Sequence, residues 1–94
     1  MLKNYESMII VSPSSTVEEL KQVTKEISNF IKNNGGEIVN IDEWGKKHLA
    51  YEIKDQREGF YFVFYYSFEP AKIHELDRFL KLNENILRHN MLVK

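Results

Sequence analysis

The side chains that could carry acid–base or metal chemistry in this chain are few and scattered. His48, His74 and His89 fall on separate stretches, with no pair four residues apart and no HExxH spacing. The sequence contains no cysteine, which excludes a thiol nucleophile, a thiolate metal site and a disulfide framework. Adjacent carboxylates occur at Glu18-Glu19 and Asp42-Glu43, and the first pair suits the positive end of a helix. Gly35-Gly36 closes a helical pattern where a phosphate loop would open one. No nucleophile, base and orienting group can be assembled from these residues. The expectation is a protein that binds and does not catalyse, with no metal and no cofactor.

Two other sets of residues could support binding. The first is aromatic: Phe60-Tyr61-Phe62-Val63-Phe64-Tyr65-Tyr66-Ser67-Phe68 is the strongest β signal in the chain. Preceded by Gly59, it approaches the third strand of an RNA-recognition motif, where alternating aromatics stack bases. Glu58 stands where that motif has a basic residue, Tyr61 replaces a small one, and Met8-Ile9-Ile10 lacks the companion aromatic. Core filling with a covered second face is therefore preferred, and an independent single-strand binder is the alternative. The second set is basic. Lys46-Lys47-His48, Arg88-His89, Lys94 and Lys3 are the candidates for phosphate contact, with Lys3 expected near Arg88. Lys72, Arg78 and Lys81 read as a solvated helix face.

The elements that must position these residues follow from periodicity. Lys3 to Val11 is a strand with Tyr5, Ser7, Ile9 and Val11 on one face and Met8 and Ile10 on the other, apolar on both sides and so central. After Ser12-Pro13-Ser14-Ser15, Thr16 and Glu19 form a capping box. Leu20, Val23, Ile27, Phe30 and Ile31 then make one helical stripe, ended by Asn33-Asn34-Gly35-Gly36. Extended character runs through Glu37 to Asp42, bends at Trp44-Gly45 and resumes over Lys47 to Ile53. Lys54 to Gly59 reads as a hairpin loop into the aromatic strand. Pro70 marks the start of a second helix with Ile73, Leu76 and Leu80 buried, and Ile86 to Val93 is a closing strand. The order βαββαβ, with each helix crossing between strands, predicts an α+β ferredoxin-like fold. A four-stranded antiparallel sheet would then carry both helices on one face.

The whole chain, residues 1–94, has the size of one domain. Its 43% apolar and 29% charged residues exclude disorder, no apolar run is long enough to span a membrane, and no secretory h-region opens it. A cytoplasmic location is expected. The net charge is −1, so any contact with nucleic acid must rely on local basic patches or a more basic partner.

Three segments taken together carry a resemblance: Tyr5-Glu6, the block Asp42-Glu43-Trp44-Gly45-Lys46-Lys47-His48-Leu49-Ala50-Tyr51-Glu52-Ile53, and Ile86-Leu87-Arg88. In this order the chain resembles the bacterial small-subunit ribosomal protein S6 family over essentially its whole length. The middle block is the most specific part; it departs from the family pattern at Glu52, where proline is usual. The resemblance implies a ferredoxin-like fold, no catalytic activity and a structural role in the ribosome. It further implies pairing with ribosomal protein S18, a basic protein, and joint binding to the central domain of small-subunit ribosomal RNA. Lys3, Lys46, Lys47, Arg88, His89 and Lys94 are thus the expected RNA contacts, of which Lys46, Lys47 and Arg88 fit the family pattern, and Met8, Ile10, Phe62 and Phe64 are the expected partner contacts.

Overall fold

The computed structural model describes residues 1–94. The elements are β1 (Lys3–Val11), α1 (Val17–Asn33), β2 (Glu37–Ile53), β3 (Gln56–Phe68), α2 (Ile73–Leu82) and β4 (Ile86–Val93). They form one antiparallel sheet in the order β2-β3-β1-β4, so β1 is central as its apolar faces predict. With the two helices this is the expected βαββαβ ferredoxin-like arrangement.

Local chemistry sets the helix ends. Thr16 accepts a hydrogen bond from the Glu19 amide while Glu19 Oε1 accepts one from the Thr16 amide, which satisfies two donors that a helix start leaves free. Pro70 opens a short 3₁₀ turn over Pro70–Lys72 and α2 begins at Ile73, so the helix starts later than the proline suggests. Val23, Ile27 and Ile31 of α1 and Leu76 and Leu80 of α2 are the buried stripes.

Those stripes meet one parity of the sheet. Tyr5, Ile9 and Val11 of β1 join Phe62, Phe64, Tyr66 and Phe68 of β3 in a single core cluster with the helices. Ser7 is the polar member of this layer; its hydroxyl lies 2.7 Å from the Tyr66 hydroxyl, so two buried polar groups satisfy one another. Burial pushes the Tyr66 phenol up to about 12. Phe62 and Phe64, expected to touch a partner, are therefore corrected to core residues. They share the helix-side parity with Phe60, Tyr66 and Phe68, and no surface of theirs is left for another chain.

The β2–β3 hairpin is longer than the sequence suggests. Gln56 to Gly59 are strand, and the turn is only Lys54-Asp55 between the paired residues Ile53 and Gln56. Both turn residues have positive φ, +49° and +65°, as a type I′ turn requires. Neither is glycine, so each holds a backbone conformation that costs roughly 1 kcal/mol. The bend expected at Trp44-Gly45 is a register shift between Glu43 and Gly45, with Gly45 at φ +80°. Beyond it the hairpin forms an arm that passes the end of β1 and folds toward the sheet face opposite the helices.

Candidate partner and nucleic-acid interface

The sheet face without helices is built from Glu6, Met8 and Ile10 of β1, Tyr61, Val63 and Tyr65 of β3, and Arg88, Asn90 and Leu92 of β4. The β2 bulge adds Trp44, whose ring stacks on Tyr61 with centroids 6.3 Å apart and planes within 5°. Two grooves lie on this face and share Met8 and Asn90. The larger, about 430 Å³, is lined by Glu6, Met8, Trp44, Tyr65, Asn90 and Leu92 among others. The smaller, about 220 Å³, runs beneath the arm along Met8, Ile10, Leu49, Tyr51 and Arg88.

The face is not uniformly open. Val63 is 3% exposed and Ile10 7%, because the arm and neighbouring side chains cover them. Gly59 leaves the space Ile10 occupies, since a Cβ there would meet Ile10 Cγ2 at 2.5 Å. Of the expected partner contacts, Met8 remains half-buried between the grooves, and Ile10 forms a floor with little surface of its own. The large exposed apolar groups on this face are Trp44, Tyr51 and Leu92, none of them among the expected partner contacts. Trp44 and Tyr51 lie within the distinctive middle block, which was the available signal.

Charge is unevenly distributed along this face. At the end where β1 begins, Lys94 Nζ pairs with Glu6 Oε1 at 3.2 Å, and the Lys94 amide donates to the Asn4 carbonyl. Desolvation and then the carboxylates of Glu6 and Asp42 hold the Tyr65 phenol above its ordinary value. At the opposite end Arg88 places its guanidinium 5.6 Å from the Tyr51 ring centroid, a cation–π contact. At the same end but on the helix side of the arm, Lys46 Nζ lies 5.2 Å from the Phe60 ring centroid, and Lys47 pairs across to Gly59.

The expected RNA contacts therefore separate into two groups. Lys46, Lys47 and Arg88 lie at the arm end. Lys3, opposite Phe68, and Lys94 lie at the other. Arg88 is level with Ile10, so Lys3 and Arg88 stand roughly 23 Å apart along β1 at about 3.3 Å per residue. Their expected proximity is corrected: strands adjacent in the sheet run antiparallel, so the start of β1 meets the end of β4. His89 is corrected as well. One residue from Arg88 on a strand means the opposite face, and its Nε2 lies 2.8 Å from Asp77 Oδ1 on α2 with the side chain 11% exposed. That contact and the Lys81 ammonium, 3.0 Å from the second Asp77 oxygen, hold the Asp77 carboxyl below its ordinary value.

The aromatic strand also changes its meaning. Phe60, Phe62, Phe64, Tyr66 and Phe68 turn toward the helices, leaving only Tyr61 and Tyr65, separated by Val63, on the open side. A row of base-stacking rings is not present on β3. No three His, Asp or Glu side chains group as metal ligands would, and no helix is long and apolar enough to cross a membrane.

The family model described as Ribosomal protein S6 matches residues 4–94. Among solved structures, the 30S ribosomal protein S6 of Thermotoga maritima superposes with a TM-score of 0.94 at 28% identity, covering 100% of this chain and 89% of that one. The open, grooved sheet face and basic arm thus sit on a scaffold shared in both sequence and shape, and the chain belongs to the ribosomal protein S6 family of the small ribosomal subunit.

Proposed function

We propose that this chain is a structural protein of the small ribosomal subunit that binds the central domain of its RNA jointly with ribosomal protein S18. The observation that carries the reading is the division of labour on the open face. An apolar, grooved centre around Met8, Trp44 and Leu92 suits a protein partner, and the basic arm end suits phosphate, with Arg88 on the open face, Lys47 level with Gly59 and Lys46 on the helix side over Phe60. Lys3 and Lys94 form a second, smaller basic margin, with Lys94 partly neutralised by Glu6. A net charge of −1 leaves the chain with too little positive field to hold RNA tightly alone, so a basic partner completes the site. The reading assigns no catalytic step to any residue and places the protein in the cytoplasm, within the ribosome.

The test is binding of the chain to a central-domain RNA junction with and without S18. Tight binding only with S18 is expected; equally tight binding by the isolated chain would overturn the joint mechanism. Lys46→Glu with Lys47→Glu is expected to weaken the ternary complex and to flatten its salt dependence, with the thermal transition unchanged.

A further inference from the structure

At the corner where the arm tip meets the start of β4, Lys54, Lys81, Arg88 and His89 surround a notch of about 240 Å³ over Leu80 and Ile86. These four residues come from three places in the sequence: the β2–β3 turn, the last turn of α2 and β4, where His89 faces the helices and Arg88 borders the notch from the other side of the strand. Three other grooves of the molecule carry carboxylates at their margins: Glu6 on the open face, Glu75 between the helices, Glu26 and Glu84 beside α2; the groove beneath the arm has none, but its single cation, Arg88, is already stacked on Tyr51. Here the one carboxylate bonded to the wall is Asp77, and it bridges two of the notch residues, Lys81 at 3.0 Å and His89 at 2.8 Å. Lys54 and Lys81 together outweigh that single negative charge, while the Arg88 guanidinium is turned to the open face over Tyr51.

Two irregularities of the backbone build this corner. Lys54 is a lysine held at φ +49°, where glycine or asparagine would be relaxed. The β1–β4 register also shifts between Ile10, level with Arg88, and Val11, level with Ile86. Leu87 is thus the extra residue of a β-bulge, a device that re-aims neighbouring side chains at a strand edge. The turn residue Lys54 and the bulge residue Leu87 both border the notch.

We propose that this notch is a phosphate-binding site, with Lys54 and Lys81 as its anion-contacting groups and Asp77 as the residue that positions Lys81 and His89. It takes a phosphate oxyanion, and on the RNA-binding reading above that oxyanion is a backbone phosphodiester. Neither Lys54 nor Lys81 was among the RNA contacts expected from the sequence.

The full chain is titrated with inorganic phosphate at constant ionic strength, chloride replacing phosphate, and followed by amide resonances. The expected result is saturable shifts at Lys54, Lys81, Leu87 and His89, with affinity reduced several-fold in Lys54→Asn and in Lys81→Gln. Asparagine accepts the left-handed conformation, so Lys54→Asn removes the charge and keeps the turn. Lys25→Gln, on α1, serves as the control and should leave the titration unchanged. Shifts spread evenly over the lysines, or an unaltered titration in both notch variants, would overturn the site. A second arm uses the central-domain RNA junction with S18. Loss of about one unit from the salt slope in Lys54→Asn identifies the oxyanion as RNA backbone. An unchanged slope overturns that assignment and leaves free phosphate as the ligand. Failure of all RNA binding would refute the ribosomal RNA reading, while the phosphate titration still decides the notch.

Discussion

The two faces of one sheet are both apolar in sequence, yet they do different work. On the helix side, Tyr5, Ile9, Val11 and the even-numbered aromatics of β3 are sealed against α1 and α2, and the one buried polar pair there is internally satisfied. On the open side, Val63 and Ile10 are covered by their own chain, while Trp44 remains 47% exposed and Leu92 59%. Apolar character alone therefore does not identify a core. A face becomes core when another element of the same chain closes over it, and otherwise its apolar groups stay exposed.

The largest effect expected from this contrast is on the closed face. Phe64→Ala, at a side chain 1% exposed, should destabilise the fold by about 3–5 kcal/mol, read as the free energy of unfolding in urea. A loss under about 1 kcal/mol would mean that this layer is not the core. The Tyr66–Ser7 pair gives the next effect, through pH. The folded phenol titrates at about 12, above its ordinary 10.0, so the native state holds its proton more tightly than the unfolded chain. Its stabilising contribution is complete below about pH 10 and is lost as pH rises toward 12, by roughly 2–3 kcal/mol in all. Tyr66→Phe should be less stable at neutral pH, with the Ser7 hydroxyl unpaired, and should lose less stability across that alkaline interval. Parallel alkaline profiles for the two proteins would show that the phenol is not buried as described.

A smaller effect is expected on the open face where it is locally packed. Gly59→Ala places a methyl against Ile10 and should destabilise by about 1–2 kcal/mol, because the neighbouring Val11 carbonyl at 3.2 Å limits how far the backbone can yield. No change in the midpoint would indicate that Ile10 and the arm are loosely held.

Much of this organisation was legible in the sequence, for identifiable reasons. The capping box, the helical stripes and the Trp44-Gly45 bulge rest on local chemistry, and each lies where that chemistry puts it. The choice between the faces of β1 and β3 was not legible, since Met8 and Ile10 are as apolar as Ile9 and Val11. It is decided by the side on which the helices cross, a tertiary fact. Lys54 to Gly59 read as loop because the segment is polar, but pairing of Gln56 through Gly59 with β2 overrides that composition. The basic residues were identifiable one by one. Their grouping was not, because antiparallel pairing sends Lys3 and Arg88 to opposite ends, and strand alternation sends Arg88 and His89 to opposite faces.

The most discriminating comparison is between two exposed apolar residues on the two sides. Trp44→Ala on the open face removes a half-exposed ring stacked only on Tyr61, so the unfolding free energy should change by less than about 1 kcal/mol. On the proposed pairing with S18, binding of S18 should nonetheless weaken by about 2 kcal/mol, roughly 30-fold in Kd, because an exposed tryptophan beside an apolar groove is a typical energetic anchor of an interface. Leu82→Ala at the end of α2, where the leucine is 71% exposed on the helix side, should alter neither quantity. Titration calorimetry with purified S18 distinguishes the outcomes. Equal affinities for the two variants would move the partner away from the Trp44 groove, whereas a selective loss in Trp44→Ala would mark the open face as the surface that a second protein closes.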